Sequence, residues 1–584
     1  MGPVAVPPHL RRYVVQQNYD EYTAQDQAVW RFVLLQTHAR LCHTAHEAYA
    51  AGFDAVGISV ERIPHIAEMN ERLAARSCQA VCVDGFIPPR AFQAFQARGV
   101  LPIACDIRTS RHLAYTPAPD IIHEAAGHAP FLAHPEYAHF LRRIGSVGEK
   151  AFSDSHDRAV YDAIYALSEI KENPASTLAQ IASAEAEVAR LASLERAPSE
   201  AALVARLYWW TVEYGLVGSP TDYRLYGAGL LSSLGEGHSC RGDDVRKLPL
   251  DASCIDVAYD ITRPQPQLFV ARSFEHLDVV LDDVSRQLAF RRGGAVALER
   301  ARKSREAACV ELSTGAQLVG TVQNLHGDAA SPAAVDFSGE CAVAYGFEVL
   351  EGWPRRHGYV LPLGRLDDGT SLDAIGVDVL RRHCDAGMRV SLRLQSGISV
   401  SGQVLDTRVQ AGRVVALLLA GARIALQGRL LLRAAEPYPL LLAERVRSAQ
   451  AELPVGYYAA TESPQTLVPK PRTFSADERG LIDLYDRALA ALRERFGSEV
   501  VPRFETLHQV LTQRYPQEWL LRWNLLESLI KLGETGQLAA TLRAELEHLE
   551  LHFDRREPIA TGLGYLKRIE RALAAQRGGE EGGT

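Results

Sequence analysis

Two histidines lie five residues apart in "PDIIHEAAGHAPF" (119–131). They are His123 and His128, with Glu124 directly after the first and Gly127 directly before the second. Imidazole is a common ligand for transition metals, and a neighbouring carboxylate adds an oxygen donor or a general base. The zinc-hydrolase motif H-E-x-x-H spaces its histidines by four, which places both on one helical face. Five is different. On a regular α-helix it separates the side chains by roughly 140°, against roughly 40° for four. The pair can share an ion only where the backbone departs from regular helix, and Pro119, Gly127 and Pro130 permit that. On these residues alone, a metal site that is not a zinc protease and two unrelated surface or capping histidines both stay open.

A third donor lies downstream. Glu213 is the only charge in the apolar run "LYWWTVEYGL" (207–216). A lone carboxylate there costs several kcal/mol unless it is paired, hydrogen-bonded or bound to a cation. Two imidazoles and one carboxylate on one face of an iron leave the opposite positions vacant, as in the facial triad of non-haem Fe(II) oxygenases. The plainer alternative is an ion pair of Glu213 with Arg206 or Arg224. In a zinc hydrolase, Glu124 would instead serve as general base.

Elements must hold these groups in place. "TAQDQAVWRFVLLQTHARL" (23–41) has helical apolar spacing, and Thr23 is placed to cap it. "VCVDGFIPPRAFQAF" reads as a strand, a turn, then a helix with Pro89 in its first turn. "AALVARLYWWTVEYGLV" (201–217) is apolar on nearly every side and predicts a buried helix. From about residue 305 to 435 the chain changes to short β-branched runs separated by glycines. "VELSTGAQLVGTV" (310–322) aligns without gaps on "LRLQSGISVSGQV" (392–404), which predicts two similar hairpins in a barrel-like unit. Residues 436–474, rich in proline and glycine, predict a linker. Beyond it, "SADE" is a capping box from Ser475 to Glu478, and "PQEWLLRWNLLESLIKLGE" (516–534) starts with proline and ends at Gly533. Trp519 and Trp523, four apart, predict a core face of that helix; a groove for a partner is the sharper alternative. The expected architecture is multidomain: a mostly α (α+β) catalytic domain at 1–290, a β-rich, barrel-like domain at 291–440, a linker at 441–474, an α-helical domain at 475–577 and a disordered tail at 578–584.

Composition narrows the class. Lys and Arg number 63 against 71 Asp and Glu, a net charge of -8, which calls for neither nucleic acid nor an anionic membrane. The 9 cysteines are scattered without a C-x-x-C pair, so reduced thiols are expected. The first residues carry no basic-then-apolar signal pattern, and "VVALLLAGARIALQGRLLL" is broken by Gly and Arg. A cytoplasmic protein follows from this reading.

Six stretches carry a family resemblance: "EYTAQDQAVWRF" (21–32), "VDGFIPPRAFQAFQARGVLPIACDIR" (83–108), "YTPAPDIIHEAAGHAPF" (115–131), "LYWWTVEYGL", "YGAGLLSSLGE" (226–236) and "YDITRPQPQLFVARSF" (259–274). In order and spacing they resemble the pterin-dependent aromatic amino acid hydroxylases, nearest to the bacterial phenylalanine-hydroxylating form, over about residues 13–280. The resemblance implies that His123, His128 and Glu213 are the catalytic iron ligands. It implies that Arg108 pairs with the substrate carboxylate, helped by Thr116 and Ser232, and that Trp209 and Pro117 wall the aromatic side chain. Phe92 would stack on the pterin, with Glu124 and Tyr208 beside it, and Ser232 and Glu236 would steady His123. The implied cofactors are Fe(II) and a tetrahydropterin (tetrahydrobiopterin or a relative), with O₂ as co-substrate.

The implied reaction is ring hydroxylation, first of all L-phenylalanine to L-tyrosine. Ile261 stands where tyrosine-hydroxylating members tend to carry Asp, and it offers no partner to a substrate hydroxyl. Tryptophan 5-hydroxylation or another ring position is the alternative; a zinc hydrolase and a non-catalytic scaffold are more remote. Three residues bear on the comparison with the family. Ala125 and Ala126 replace a bulkier pair between the histidines, and Pro102 follows the bacterial rather than the animal pattern. The residues after 290 match nothing in the family; they are expected to oligomerise, to gate the site or to bind a protein partner.

Overall fold

The computed structural model of the chain describes residues 6–41, 43–110, 113, 119–172, 176–261, 263–457, 472–493, 500–552 and 556–580. In chain order, the helices that matter for the site are α1 (Ala24–Leu41), α2 (Pro89–Ala97), α3 (Pro135–Lys150), α4 (Glu200–Tyr208), α5 (Ala228–Ser232) and α6 (Gly294–Ser304). Thr23 and Asp26 start α1 reciprocally: Asp26 N–H donates to Thr23 Oγ1 at 3.2 Å, and Thr23 N–H to Asp26 Oδ2 at 2.9 Å. Pro88 and Pro89 open α2, where proline has no helical N–H to lose.

Two small sheets sit among these helices. In the first, β1 (Val14–Val15) pairs antiparallel with β2 (Gln79–Val83), and β2 runs parallel to β3 (Val100–Ala104) across the α2 crossover. The second has the order β5–β4–β7–β6, from β4 (Leu216–Ser219), β5 (Asp222–Leu225), β6 (Arg246–Pro249) and β7 (Gln267–Ala271). β3 and β7 are buried at every position, as strands covered on both faces are.

The middle of the chain is β-rich, and the expected barrel is not there. β8 (Ala307–Leu312), β9 (Ala316–Asp328), β10 (Ser331–Tyr345), β11 (Glu348–Val349) and β12 (Arg356–Pro362) form one open sheet. It is completed by the late strand β18 (Val446–Gln450), in the order β11–β10–β9–β8–β18, with β12 also on β10. β13 (Arg389–Arg393), β14 (Ile398–Gln410), β15 (Arg413–Leu426) and β16 (Arg429–Arg433) form another, with β17 (Tyr438–Leu441) on β15. Neither sheet closes. The reason is visible where they meet: the Tyr438 hydroxyl donates to Val360 O at 2.6 Å and accepts from Val360 N–H at 3.0 Å. A side chain thus satisfies the edge of β12 in place of a neighbouring strand, and the other strand on that edge, β11, takes only an isolated bridge from Val455. The Tyr359 and Tyr438 rings stack there at 5.0 Å, and one apolar core fills the space between the sheets.

Both predicted hairpins are present, as β8–β9 and β13–β14. Their turns match: Gly315 and Gly397 take φ of 83° and 84°, a conformation open to glycine. β17 and β18 fall inside the stretch expected as linker; residues 458–471 lie outside the described residues.

Among the described residues, the helices that follow are α7 (Ala476–Arg493), α8 (Val500–Arg514), α9 (Leu520–Leu532), α10 (Gln537–His552) and α11 (Arg556–Glu580). Ser475 and Glu478 cap α7 reciprocally. α9 begins four residues beyond Pro516, because Glu518 Oε1 accepts from the N–H groups of Leu520 and Leu521 and so caps it there. It ends at Gly533, φ 80°. Trp519 and Trp523 are core residues, but of a shared core. Phe32 of α1 packs edge-on against both, with centroids 5.1 and 4.8 Å away. Arg31 forks onto Glu527, with both bonds at 2.9 Å, and Arg472 donates to Asp26 at 2.7 Å. A single apolar core runs from the N-terminal region into these helices. Among the described residues, no helix is long and apolar enough to cross a membrane.

Candidate metal centre

His123 and His128 do share a face, because their helix is not an α-helix. Residues Ile122–His128 form a π-helix, and Ala129 N–H donates to Glu124 O, five residues back. Each residue of such a helix turns by less than in an α-helix, so side chains five apart come back into line. The departure that the spacing demands is therefore a change of hydrogen-bond register. The second ligand segment repeats it. α4 gives way at Trp209–Glu213 to another π-turn, closed by Tyr214 N–H to Trp209 O at 2.9 Å. Glu213 sits at its end.

The three side chains converge. Glu213 Oε2 lies 3.2 Å from His123 Nε2, and Oε1 lies 3.3 Å from His128 Nε2. One donor atom from each lies within 4.8 Å of the others. The imidazole planes stand nearly perpendicular, at 86°. His128 is fully buried, and neither of its ring nitrogens has a hydrogen-bond partner. A buried imidazole with an unused lone pair, beside a second imidazole and a carboxylate, is a donor set that fits a ferrous ion. Without an ion the charges lean on one another. Burial works against a charge on His123, yet the Glu213 carboxylate pushes its pKa up to about 9. Burial would also raise Glu213, but the two imidazoles hold it well below the carboxylate range.

The surroundings orient the ligands. His123 Nδ1 meets Ser232 Oγ at 2.9 Å, which leaves Nε2 to face Glu213. Ser232 Oγ donates to Ala228 O at 2.8 Å, and α5 presses on the histidine helix so closely that a Cβ on Gly127 would stand 2.9 Å from Ala228 O. Asp120 accepts the His123 N–H at 3.0 Å. It also takes Arg108 in a fork, Nε at 2.8 Å and Nη2 at 2.7 Å. Burial would raise Asp120, and the guanidinium overrides it and holds the carboxyl below its ordinary value. Arg108 Nη1 reaches Ser232 O at 3.3 Å.

Around this centre, Trp209 stacks with two rings, Tyr259 at 4.3 Å and Tyr214 at 4.6 Å. Glu236 is buried and pushed up to about 7 by that burial, with Tyr214 hydrogen-bonded to it in opposition. It therefore stands behind the Trp209 stack, while the described contact to His123 comes from Ser232. Glu124 is buried, and burial lifts it to about 7 against the pull of His128 and His123; its Oε2 accepts no hydrogen bond and lies 3.8 Å from His128 Nε2. Phe92 and Tyr208 meet edge to face at 6.3 Å. Ile261 lies two residues beyond Tyr259, half-buried. Thr116 and Pro117 lie outside the described residues.

Asp120, Gln96 and Tyr259 join the site without a signal strong enough to single them out in the sequence. Asp120 and Tyr259 sit inside quoted motifs, and Gln96, whose Nε2 donates to the Tyr208 hydroxyl at 2.6 Å, is four residues after Phe92. Its helical spacing was the available signal.

Comparison with known proteins agrees on one region. A family profile for the biopterin-dependent aromatic amino acid hydroxylases matches residues 13–165 and 175–294. The chain is 27% identical over 268 residues to phenylalanine-4-hydroxylase of Chromobacterium violaceum, covering 45% of this chain and 75% of that protein. It is 29% identical over 268 residues to phenylalanine-4-hydroxylase of Ralstonia nicotianae, covering 45% and 72%. Among solved structures, the Chromobacterium violaceum enzyme with bound iron(III) and 7,8-dihydrobiopterin matches at 26% identity, covering 48% of this chain and 87% of that one, with a TM-score of 0.37.

Proposed function

Residues 13–165 and 175–294 belong to the biopterin-dependent aromatic amino acid hydroxylase family, and we propose that this member converts L-phenylalanine to L-tyrosine. The activity is that of a non-haem iron, pterin-requiring monooxygenase of an aromatic amino acid ring. Its catalytic unit is assigned to residues 1–290, with 291–440 and 475–577 as attached units. The observation that carries the reading is the convergence of His123, His128 and Glu213 from two separate π-turns.

Bound there, Fe(II) and a tetrahydropterin supply the open coordination positions and the two electrons that O₂ activation requires. The chain's own residues bind and orient. Arg108 spends two N–H groups on Asp120 and one on Ser232 O; one remains on each terminal nitrogen, enough to grip a substrate carboxylate end-on. Held by that fork, the substrate ring would lie toward Trp209, whose own ring is steadied by stacking with two tyrosines. Phe92 offers the pterin a face to stack on, and the buried Glu124 offers it a hydrogen-bonding carboxyl. Ile261 gives a ring hydroxyl no partner, which favours phenylalanine over tyrosine as substrate.

The test is tetrahydropterin-dependent tyrosine formation from phenylalanine by the iron-loaded chain, alongside metal analysis. Glu213→Ala should lose bound iron and product together. A variant that keeps both would end the triad assignment. A wild-type chain that hydroxylates tryptophan in preference would move the substrate proposal to the 5-hydroxylase alternative.

A further inference from the structure

The helix that carries Phe92 has two working faces. Phe92 and Gln96 are four apart and share one; Arg90, Ala94 and Arg98, spaced by four, share the nearly opposite one. The first face looks to the metal centre, through the contacts of Phe92 and Gln96 with Tyr208. The second meets carboxylates, two of them from outside the region the family covers. Arg90 Nη2 donates to Glu306 Oε2 at 2.5 Å. Arg98 Nη1 donates to Glu149 of α3 at 2.7 Å, and its Nη2 lies 3.7 Å from Glu452.

Both outside carboxylates come from one end of one sheet. Glu306 follows Arg305, whose left-handed φ of 58° ends α6, and immediately precedes β8. Glu452 lies just past β18. β8 and β18 are antiparallel neighbours with Gln450 opposite Cys309, so the chain enters and leaves this sheet at the same end. Further bonds seat that end: Ser153 Oγ and Arg158 Nη2 hold Glu306 at 2.8 and 3.2 Å, and Ala451 N–H donates to Lys150 O at 3.0 Å. Burial and the neighbouring Glu452 push the Glu149 carboxyl up from its ordinary value.

We propose that the β-rich unit is a brace for the cofactor pocket, with Glu306 and Glu452 as positioning residues that fix α2 from behind and so set the distance of Phe92 from Tyr208. This rests on the function proposed above. Partly exposed ion pairs contribute little to stability. Their effect here is geometric: they sit at both ends of a nine-residue helix and oppose its rotation about its own axis. Stacking on an aromatic ring depends on that rotation.

The full-length, iron-loaded chain tests this. A redox-inert 7,8-dihydropterin is titrated by calorimetry into wild type and Glu306→Gln/Glu452→Gln, and steady-state constants are measured for both substrates. The expected result is a roughly tenfold weaker dihydropterin Kd and a matching rise in tetrahydropterin KM. Iron content and phenylalanine KM should be unchanged. Pairing Glu306→Arg with Arg90→Glu should bind dihydropterin more tightly than Glu306→Arg alone, and this pair carries the test if the double variant does not fold. Unchanged dihydropterin affinity in folded, iron-loaded variants overturns the brace and leaves the function standing. A wild-type chain that binds no dihydropterin removes the function, and the brace with it.

Discussion

Glu236 shows how a single buried carboxyl registers in stability. Its pKa rises from 4.5 to about 7 because folding takes it out of water. An acid raised in this way favours the folded state while protonated. That contribution is complete below the unfolded value and is lost as pH climbs through the folded one. Glu236→Gln is neutral throughout and keeps an acceptor for Tyr214. It should therefore unfold at the same denaturant midpoint as wild type near pH 4, and be more stable at pH 8 by about 3 kcal/mol. Equal stabilities at pH 8 would show that the carboxyl is solvated. At this scale the sequence was informative about types and order: both histidines and Glu213 were recognisable as donors, and they converge. The Arg108–Asp120 fork was not, because a pairing between side chains twelve residues apart follows no helical or strand period.

At the scale of elements, the π-turns decide whether there is a site at all. The five-residue spacing implied a distortion but did not name it, since i→i+5 bonding has no residue signature of its own. Gly127 is one physical clue. It lets α5 approach the histidine helix, and a Cβ there would stand 3.0 Å or less from Ala228 Cβ and O. Gly127→Ala should push α5 outward, stretch the Ser232–His123 contact and weaken iron binding by roughly tenfold, read by competition with a chelator. Retained affinity would mean that Ser232 does not orient the imidazole. The β-rich unit teaches the complementary point. Its hairpins were legible because turn glycines and alternating residues are local signals. Closure was not legible, because it depends on what meets the sheet's edges, and Tyr438 comes to the edge of β12 from 78 residues away.

At the scale of the molecule, the tryptophans of α9 were recognisable as core residues, but their partner Phe32 lies nearly the whole chain away and no local pattern announces it. Trp523→Ala would leave a void against Phe32 and Gly562 and should cost about 3–5 kcal/mol, seen as a lower unfolding midpoint for the N-terminal half as well as the C-terminal helices. Independent melting, with the N-terminal half unaffected, would make the two cores separate. The same contact sets an order of events during synthesis. At roughly 5–20 residues per second, a ribosome finishes α1 about half a minute or more before it reaches Trp519. For that interval Phe32 stands bare on the nascent N-terminal half, until the tryptophans of α9 arrive to cover it.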